Sequence, residues 1–209
     1  MKTKFKHILV ILCLSMISCE GNLEPELFDQ ITPENFLTNE DDVKTAVTGV
    51  YAEFRGISEW GRYKTSWGSV MTLQEVPTDL WAANWFYKAH TDFMWKATDY
   101  FVCEIFEFFV PAITKATALI ARIQDAPVSD DIKNRYIAEL RVVRALWMYD
   151  LFDLYGPVPA ITDPEKMLNP TQDFTVTRPS REEYITFVET ELKEVINAKI
   201  LPVAWTGSD

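Results

Sequence analysis

The chain has 209 residues, a length that suits one domain or a tight pair of domains. It carries 20 basic and 31 acidic residues, and this net charge of -11 argues against nucleic-acid binding, which needs a basic footprint. With only 7 Gly and 11 Pro, it is neither collagen-like nor low-complexity.

The N-terminus reads as an address. Lys2, Lys4 and Lys6 form a basic start, and Ile8 to Ile17 is a mostly apolar run. A helix needs about 20 apolar residues to span a bilayer, so this run is too short and fits a secretory signal peptide over residues 1–18. The run closes on Ser18-Cys19, which resembles the lipobox of bacterial lipoproteins. The resemblance implies cleavage before Cys19 and a lipidated Cys19 thiol. The alternative is an ordinary cysteine after a standard cleavage site. Residues 1–18 hold three Lys and no acid, so the mature chain would stand at −14. Only Cys19 and Cys103 remain in it. With Cys19 lipidated no internal disulfide can form, and stability must come from packing. Cys103, among Phe101, Val102, Ile105 and Phe106, reads as a buried, inert thiol. Residues 19–31 contain Glu20, Glu24, Glu26 and Asp29 and no base, which suits a solvated tether or simply a disordered start.

The domain proper, 32–209, reads as helices around one irregular stretch. Thr32-Pro33-Glu34-Asn35-Phe36 suggests a short helix with Pro at its first position. Thr38-x-x-Asp41 then reads as the cap of an amphipathic helix. Its apolar face is Val43, Ala46, Val47, Val50, Tyr51 and Phe54, and Gly56 ends it. Residues 57–99 keep no helical period and hold Trp60, Trp67, Trp81, Trp85 and Trp95, five of the seven Trp. Loops with a short helix or two are expected there. From Asp99 to Gln124 the spacing of Ile105, Phe109, Ala112, Ile113, Ala116, Ile120 and Ile123 is helical, with Pro111 expected to kink the helix or restart it. Ser129 caps a helix over 130–155 with a ridge of Tyr136, Leu140, Val143, Trp147, Leu151 and Tyr155, stopped by Gly156-Pro157. Residues 157–161 read as extended and 162–179 as a polar loop. Ser180-x-x-Glu183 is a capping box opening the last helix, with Tyr184, Phe187, Val188, Leu192, Val195 and Ile196 on one face and Pro202 beyond its end.

Two long helices joined near 126–130 make a helical hairpin, and a third helix follows. Arg141 and Arg144, three apart, can both reach one side of their helix. There they can pair with carboxylates or cap the carbonyls of a neighbouring helix, a structural role.

The run from Ala138 to Pro159, which contains Ala138-Glu139-Leu140-Arg141, Arg144-Ala145 and Leu154-Tyr155-Gly156-Pro157-Val158-Pro159, resembles the SusD/RagB family of outer-membrane lipoproteins. Thr32 to Phe36 with Asp41-Asp42 and Val50-Tyr51, Glu75-x-x-x-Asp79 with Trp81, and Arg178 to Tyr184 with Glu191-Leu192 and Leu201-Pro202 agree with it. The resemblance implies an all-α fold of tetratricopeptide-like helical hairpins carrying an irregular, loop-rich subdomain. It also implies a role as a cell-surface lid that captures oligosaccharide, or peptide, for a SusC-like TonB-dependent transporter. Residues 57–99 would be the ligand side and 100–201 the tetratricopeptide-like helices. Family members are much longer, so the C-terminal part of the fold is expected to be missing here, with the last helix short of its next partner.

Sugars present apolar C–H faces rimmed by hydroxyls, so aromatic rings beside Asp and Asn are the expected binding surface. Asp79, Trp81, Asn84 and Trp85 supply that mixture within seven residues and are the candidate ligand contacts. Trp60, Arg62, Trp67 and Tyr87 are second choices, and any of these Trp can instead be core. Catalysis is not expected. The mature chain has one His, His90, and no nucleophile elbow, P-loop or dinucleotide fingerprint. Glu75 and Asp79 could share a helix face as a glycosidase-like pair, but such spacing is common in an acidic chain. No metal and no cofactor are expected. The rival reading is a helical lipoprotein that recruits proteins or peptides and binds no glycan.

Overall fold

A computed structural model describes residues 36–54, 70–81, 87–168 and 176–203. The expected signal peptide, tether and first short helix lie outside the described residues apart from Phe36. All the elements described here belong to one unit, Leu37–Asp209. They are all helical, and no strand occurs among the described residues.

Helix α1, Glu40–Tyr51, starts one residue later than the sequence suggests. Asn39 is the N-cap, its side chain accepting from the Asp42 amide at 3.0 Å. Thr38 lies one position outside, and its amide and hydroxyl both donate to Asp42 Oδ2, at 2.9 and 2.7 Å. These bonds hold the Asp42 pKa below its usual value. Thr and Asn both cap well, so composition alone could not choose between neighbours. Val43, Val47 and Val50 are buried as the period requires, whereas Tyr51 is exposed at the edge of the face. The helix tightens into a 3-10 turn, Ala52–Phe54, before Gly56.

Two short helices, α2 (Val70–Glu75) and α3 (Lys88–Thr91), lie in the aromatic-rich segment. The long hairpin follows: α4, Tyr100–Asp125, and α5, Asp130–Tyr155. Pro111 does not divide α4, which runs on through it. Both Pro111 and Glu107 are exposed, so the missing bond lies on the solvent side of the helix, where such a loss costs least. Ser129 Oγ accepts from the Ile132 amide and opens α5. Gly156, at φ 73° and ψ −160°, closes it. Such a backbone is nearly confined to glycine.

The polar loop after Ile161 holds one element the periodicity does not show, α6, Pro164–Leu168. Its start is nonetheless written locally. Asp163 Oδ1 accepts from the Glu165 amide at 3.0 Å, and Pro164 occupies the first turn. Helix α7, Arg181–Ala198, opens with the expected capping box: Ser180 and Glu183 each accept from the other's backbone amide. It ends at Lys199, whose φ of 53° is left-handed.

Helix α5 is the hub, packing against α4, α7, α1 and α2, while α6 covers part of α4. Trp147 on α5 is fully buried, its ring 4.9 Å from Phe54 and 6.3 Å from Phe109. Around it lie Ile105, Phe109, Ile113, Leu140 and Leu151. On α7, Tyr184 and Val195 are buried, but Ile196, expected on the same face, is 70% exposed. Cys103 is only half-buried and donates to the Ala97 carbonyl at 3.1 Å, rather than being sealed in the core.

Candidate functional site

Arg141 and Arg144 face α7, as their spacing suggests, and the arrangement is structural. Arg144 donates from Nε and Nη2 to Glu191 Oε2, and from Nη1 to the Thr117 hydroxyl (2.9 Å) and the Thr162 carbonyl (3.0 Å). Its guanidinium also lies over the Phe187 ring, 5.3 Å away. Burial pulls its pKa down against the opposing pull of Glu191. Arg141 donates to Glu191 Oε1 at 2.8 Å and to Glu194 Oε2 at 2.5 Å. Burial works against its charge, but the bonds to Glu194 and Glu191 outweigh it and its pKa is raised.

The described part of the aromatic segment is built differently. Val70 and Val76 are buried and anchor α2 and the turn after it. Gln74 donates to Asp153 Oδ2 on α5 at 2.9 Å. This anchoring leaves the turn that follows on the surface. Asp79 is exposed there, and Trp81 is 42% exposed. Trp81 meets Tyr87 edge-on, with centroids 6.3 Å apart. Tyr87 stacks on Phe101 at 5.4 Å, and Phe101 meets His90 edge-on at 5.5 Å. His90 in turn stacks on Trp95 at 6.0 Å. A continuous series of rings thus runs from the surface at Trp81 to Trp95. Leu80, Phe93, Met94 and Tyr100 are exposed around it.

Of the candidates read from the sequence, the structure brings Trp81 and Tyr87 together and leaves Asp79 exposed two residues away. Asn84, Trp85, Trp60, Arg62, Trp67 and Cys19 lie outside the described residues.

His90 and Trp95 are members of the ring series that periodicity and motif reasoning did not select. His90 is almost fully buried, and neither ring nitrogen has a hydrogen-bond partner. Burial lowers its pKa, opposed by the charge of Asp99. Beside it is a cavity of about 360 Å³ lined by Leu73, Pro77, His90, Trp95, Ala97, Val102, Leu154 and Tyr155. The Tyr155 hydroxyl is already committed, donating to the Val102 carbonyl at 2.7 Å. A second cavity, of about 330 Å³, adjoins α5, α6 and α7, with Met148, Asp163, Lys166, Tyr184 and Phe187 in its lining and none of the predicted site residues. Among the described residues no group of three His, Cys, Asp or Glu could hold a metal ion. No described helix is long and apolar enough to cross a membrane.

No family model matches the chain. A SusD-like protein, P38, of Formosa agariphila is 25% identical over 203 residues, a match that covers 91% of this chain and 37% of that protein. A SusD-like protein of Bacteroides fragilis superposes with a TM-score of 0.64 at 22% identity, over 87% of this chain and 33% of that one. A SusD-like protein described as laminarin-binding superposes with a TM-score of 0.56 at 23% identity, over 79% and 35% respectively. The chain therefore spans about a third of the length of the relatives it matches. The all-helical order, the Arg-bearing run that organises α5 and these likenesses together show that the chain has the helical fold of SusD-like proteins and is similar to them in sequence.

Proposed function

We propose that the chain carries a carbohydrate-binding surface of a nutrient-capturing lipoprotein, anchored through Cys19 at the outer membrane and working with a SusC-like TonB-dependent transporter. The observation that carries this reading is the exposed Trp81, braced by Tyr87 and flanked by exposed Asp79. A flat ring held in place by a second ring can stack on a sugar face without first being ordered, and a nearby carboxylate can accept from its hydroxyls. The laminarin-binding relative of similar fold supports the same ligand class. In this reading Asn84 and Trp85 extend the surface. The protein binds and does not catalyse; Glu75 and Asp79 serve no hydrolysis.

Retardation in native gels containing immobilised polysaccharides, laminarin among them, tests this. Wild-type protein should be slowed by at least one polysaccharide, and Trp81→Ala with Trp85→Ala should abolish the effect. No retardation across the panel would sink the glycan reading. It would leave the rival, a protein- or peptide-recruiting lipoprotein, which the exposed Leu80, Phe93 and Met94 would serve. For the anchor, Cys19→Ala should release the protein from membranes and end lipid labelling.

A further inference from the structure

We propose that the turn Phe93-Met94-Trp95-Lys96 is a membrane-contacting tip, which dips into the phospholipid surface to which the protein is tethered. The proposal makes no use of Asp79, Trp81, Asn84 or Trp85 and stands apart from the glycan reading.

The turn is built to hold two apolar side chains out in water. Helix α3 ends in a Schellman motif: the Met94 amide donates to the Ala89 carbonyl at 2.7 Å and the Phe93 amide to the His90 carbonyl at 3.2 Å. Phe93 thereby takes the left-handed position, at φ 57°, which glycine usually fills and a bulky residue rarely adopts. The core gains nothing from this strain, because Phe93 is 68% exposed and Met94 70% exposed. Backbone strain of this kind gathers where a side chain is put to use. Trp95 follows, partly exposed, its ring 5.5 Å from Phe93 and 6.0 Å from the buried His90, so the tip is braced from within.

The charges point to the occupant. Asp92 is paired with Lys88 at 2.6 Å, and Asp99 Oδ2 accepts from the Lys96 amide at 2.8 Å. The exposed Lys96 ammonium pairs with no described residue and complements a phosphate. Two apolar side chains, an amphipathic ring and a cation thus follow one another in the order of a bilayer interface, from acyl chains to headgroups. The chain as a whole carries -11 and is not drawn to an anionic surface by its charge. Insertion of Phe93 and Met94 therefore supplies the attraction, and attachment to the membrane keeps the tip within reach.

Fluorescence quenching by acyl-brominated phospholipid tests the proposal. The mature chain, residues 19–209 carrying Cys103→Ser, is coupled through Cys19 to a maleimide-bearing phospholipid. The vesicles are phosphatidylethanolamine and phosphatidylglycerol doped with the brominated lipid. This coupling holds the protein at the surface whether or not Cys19 is lipidated in the cell, so failure of the tip and failure of the anchor are read separately. Part of the tryptophan emission should be quenched, and that part should vanish in Trp95→Phe. Phe93→Gly, which suits the left-handed backbone, and Met94→Ser, at a position without packing, should each lose most of it while keeping Trp95. Absence of quenching overturns the proposal and leaves the tip to a protein partner. Quenching unchanged in Trp95→Phe, or in a chain carrying both Phe93→Gly and Met94→Ser, overturns it as well, since another part of the molecule would then be in the lipid.

Discussion

Arg144 of α5 and Glu191 of α7 form a buried ion pair in which the guanidinium meets one carboxylate oxygen through two of its nitrogens. Arg144 also binds Thr117 on α4 and the Thr162 carbonyl ahead of α6, so one side chain joins four parts of the fold.

Glu191→Gln should therefore be costly. It leaves a buried guanidinium short of its counter-charge, and breaking such pairs costs about 3–5 kcal/mol. Arg144→Met should cost less, because Glu191 keeps Arg141 as a partner. The double variant should be destabilised by less than the two singles together. Urea unfolding followed by circular dichroism measures all three, and simple additivity would show that the pair is not energetically coupled.

Two glycines should respond in opposite directions. Gly156→Ala forces a side chain into a backbone region nearly exclusive to glycine and should cost about 1–3 kcal/mol, although the space beside it is open. Gly49 lies inside α1 with open space where a methyl group would stand, and Gly49→Ala should stabilise by about 0.5–1 kcal/mol. Thermal melts that moved the same way for both would contradict this assignment.

The capping box predicts a pH effect at α7. Hydrogen bonds from the Ser180 side chain and backbone lower the Glu183 pKa below its ordinary value of 4.5. A lowered acid contributes stability that is present above the unfolded-state value and is lost as pH falls through the folded one. The melting-temperature gap between wild type and Glu183→Gln should thus be open at pH 7 and narrow by pH 3. Ser180→Ala should cost about 1 kcal/mol at neutral pH through loss of the cap. An unchanged gap at pH 3 would show that the box is not formed in solution.

His90 gives the second pH effect. Its pKa is lowered by burial, with Asp99 opposing. Above the ordinary histidine value both folded and unfolded forms are neutral, so stability is unaffected. Below about pH 6.5 the unfolded chain takes a proton that the folded chain refuses, and stability falls until the folded pKa is passed. Urea midpoints measured from pH 7.5 to 5 should decline more in wild type than in His90→Phe. Equal slopes would place the titrating group elsewhere.

The long helices were legible because their signals are local. Ser129 and Ser180 open α5 and α7 where a cap was expected, and the ridge from Tyr136 to Leu151 is buried as the period requires. The Arg141 and Arg144 spacing announced a partner helix. Their partners could not be chosen, because Glu191 lies 47 residues from Arg144 and only folding brings them together. Ile196 fits the period of α7 yet faces solvent, since a period marks a face but not how wide a strip of it the neighbour covers. At the candidate site, Trp81 beside Tyr87 was within reach of a composition argument. His90 was not, because a lone histidine in an aromatic stretch gives no sign of whether its nitrogens will find partners.

The spacing of the charges between α5 and α7 also acts as a register mark. Arg141 and Arg144 are three residues apart, and so are their partners Glu191 and Glu194. Were α7 to slide three residues one way, Val188 would stand where Glu191 does, and the buried Arg144 would face a hydrocarbon. A slide the other way would bring Glu194 to Arg144 and leave Asn197 opposite Arg141. Apolar packing alone tolerates such slips, since a valine fills much the same space at either position. Two charge pairs at matched intervals do not, and they hold the last described helix to a single alignment against the hairpin.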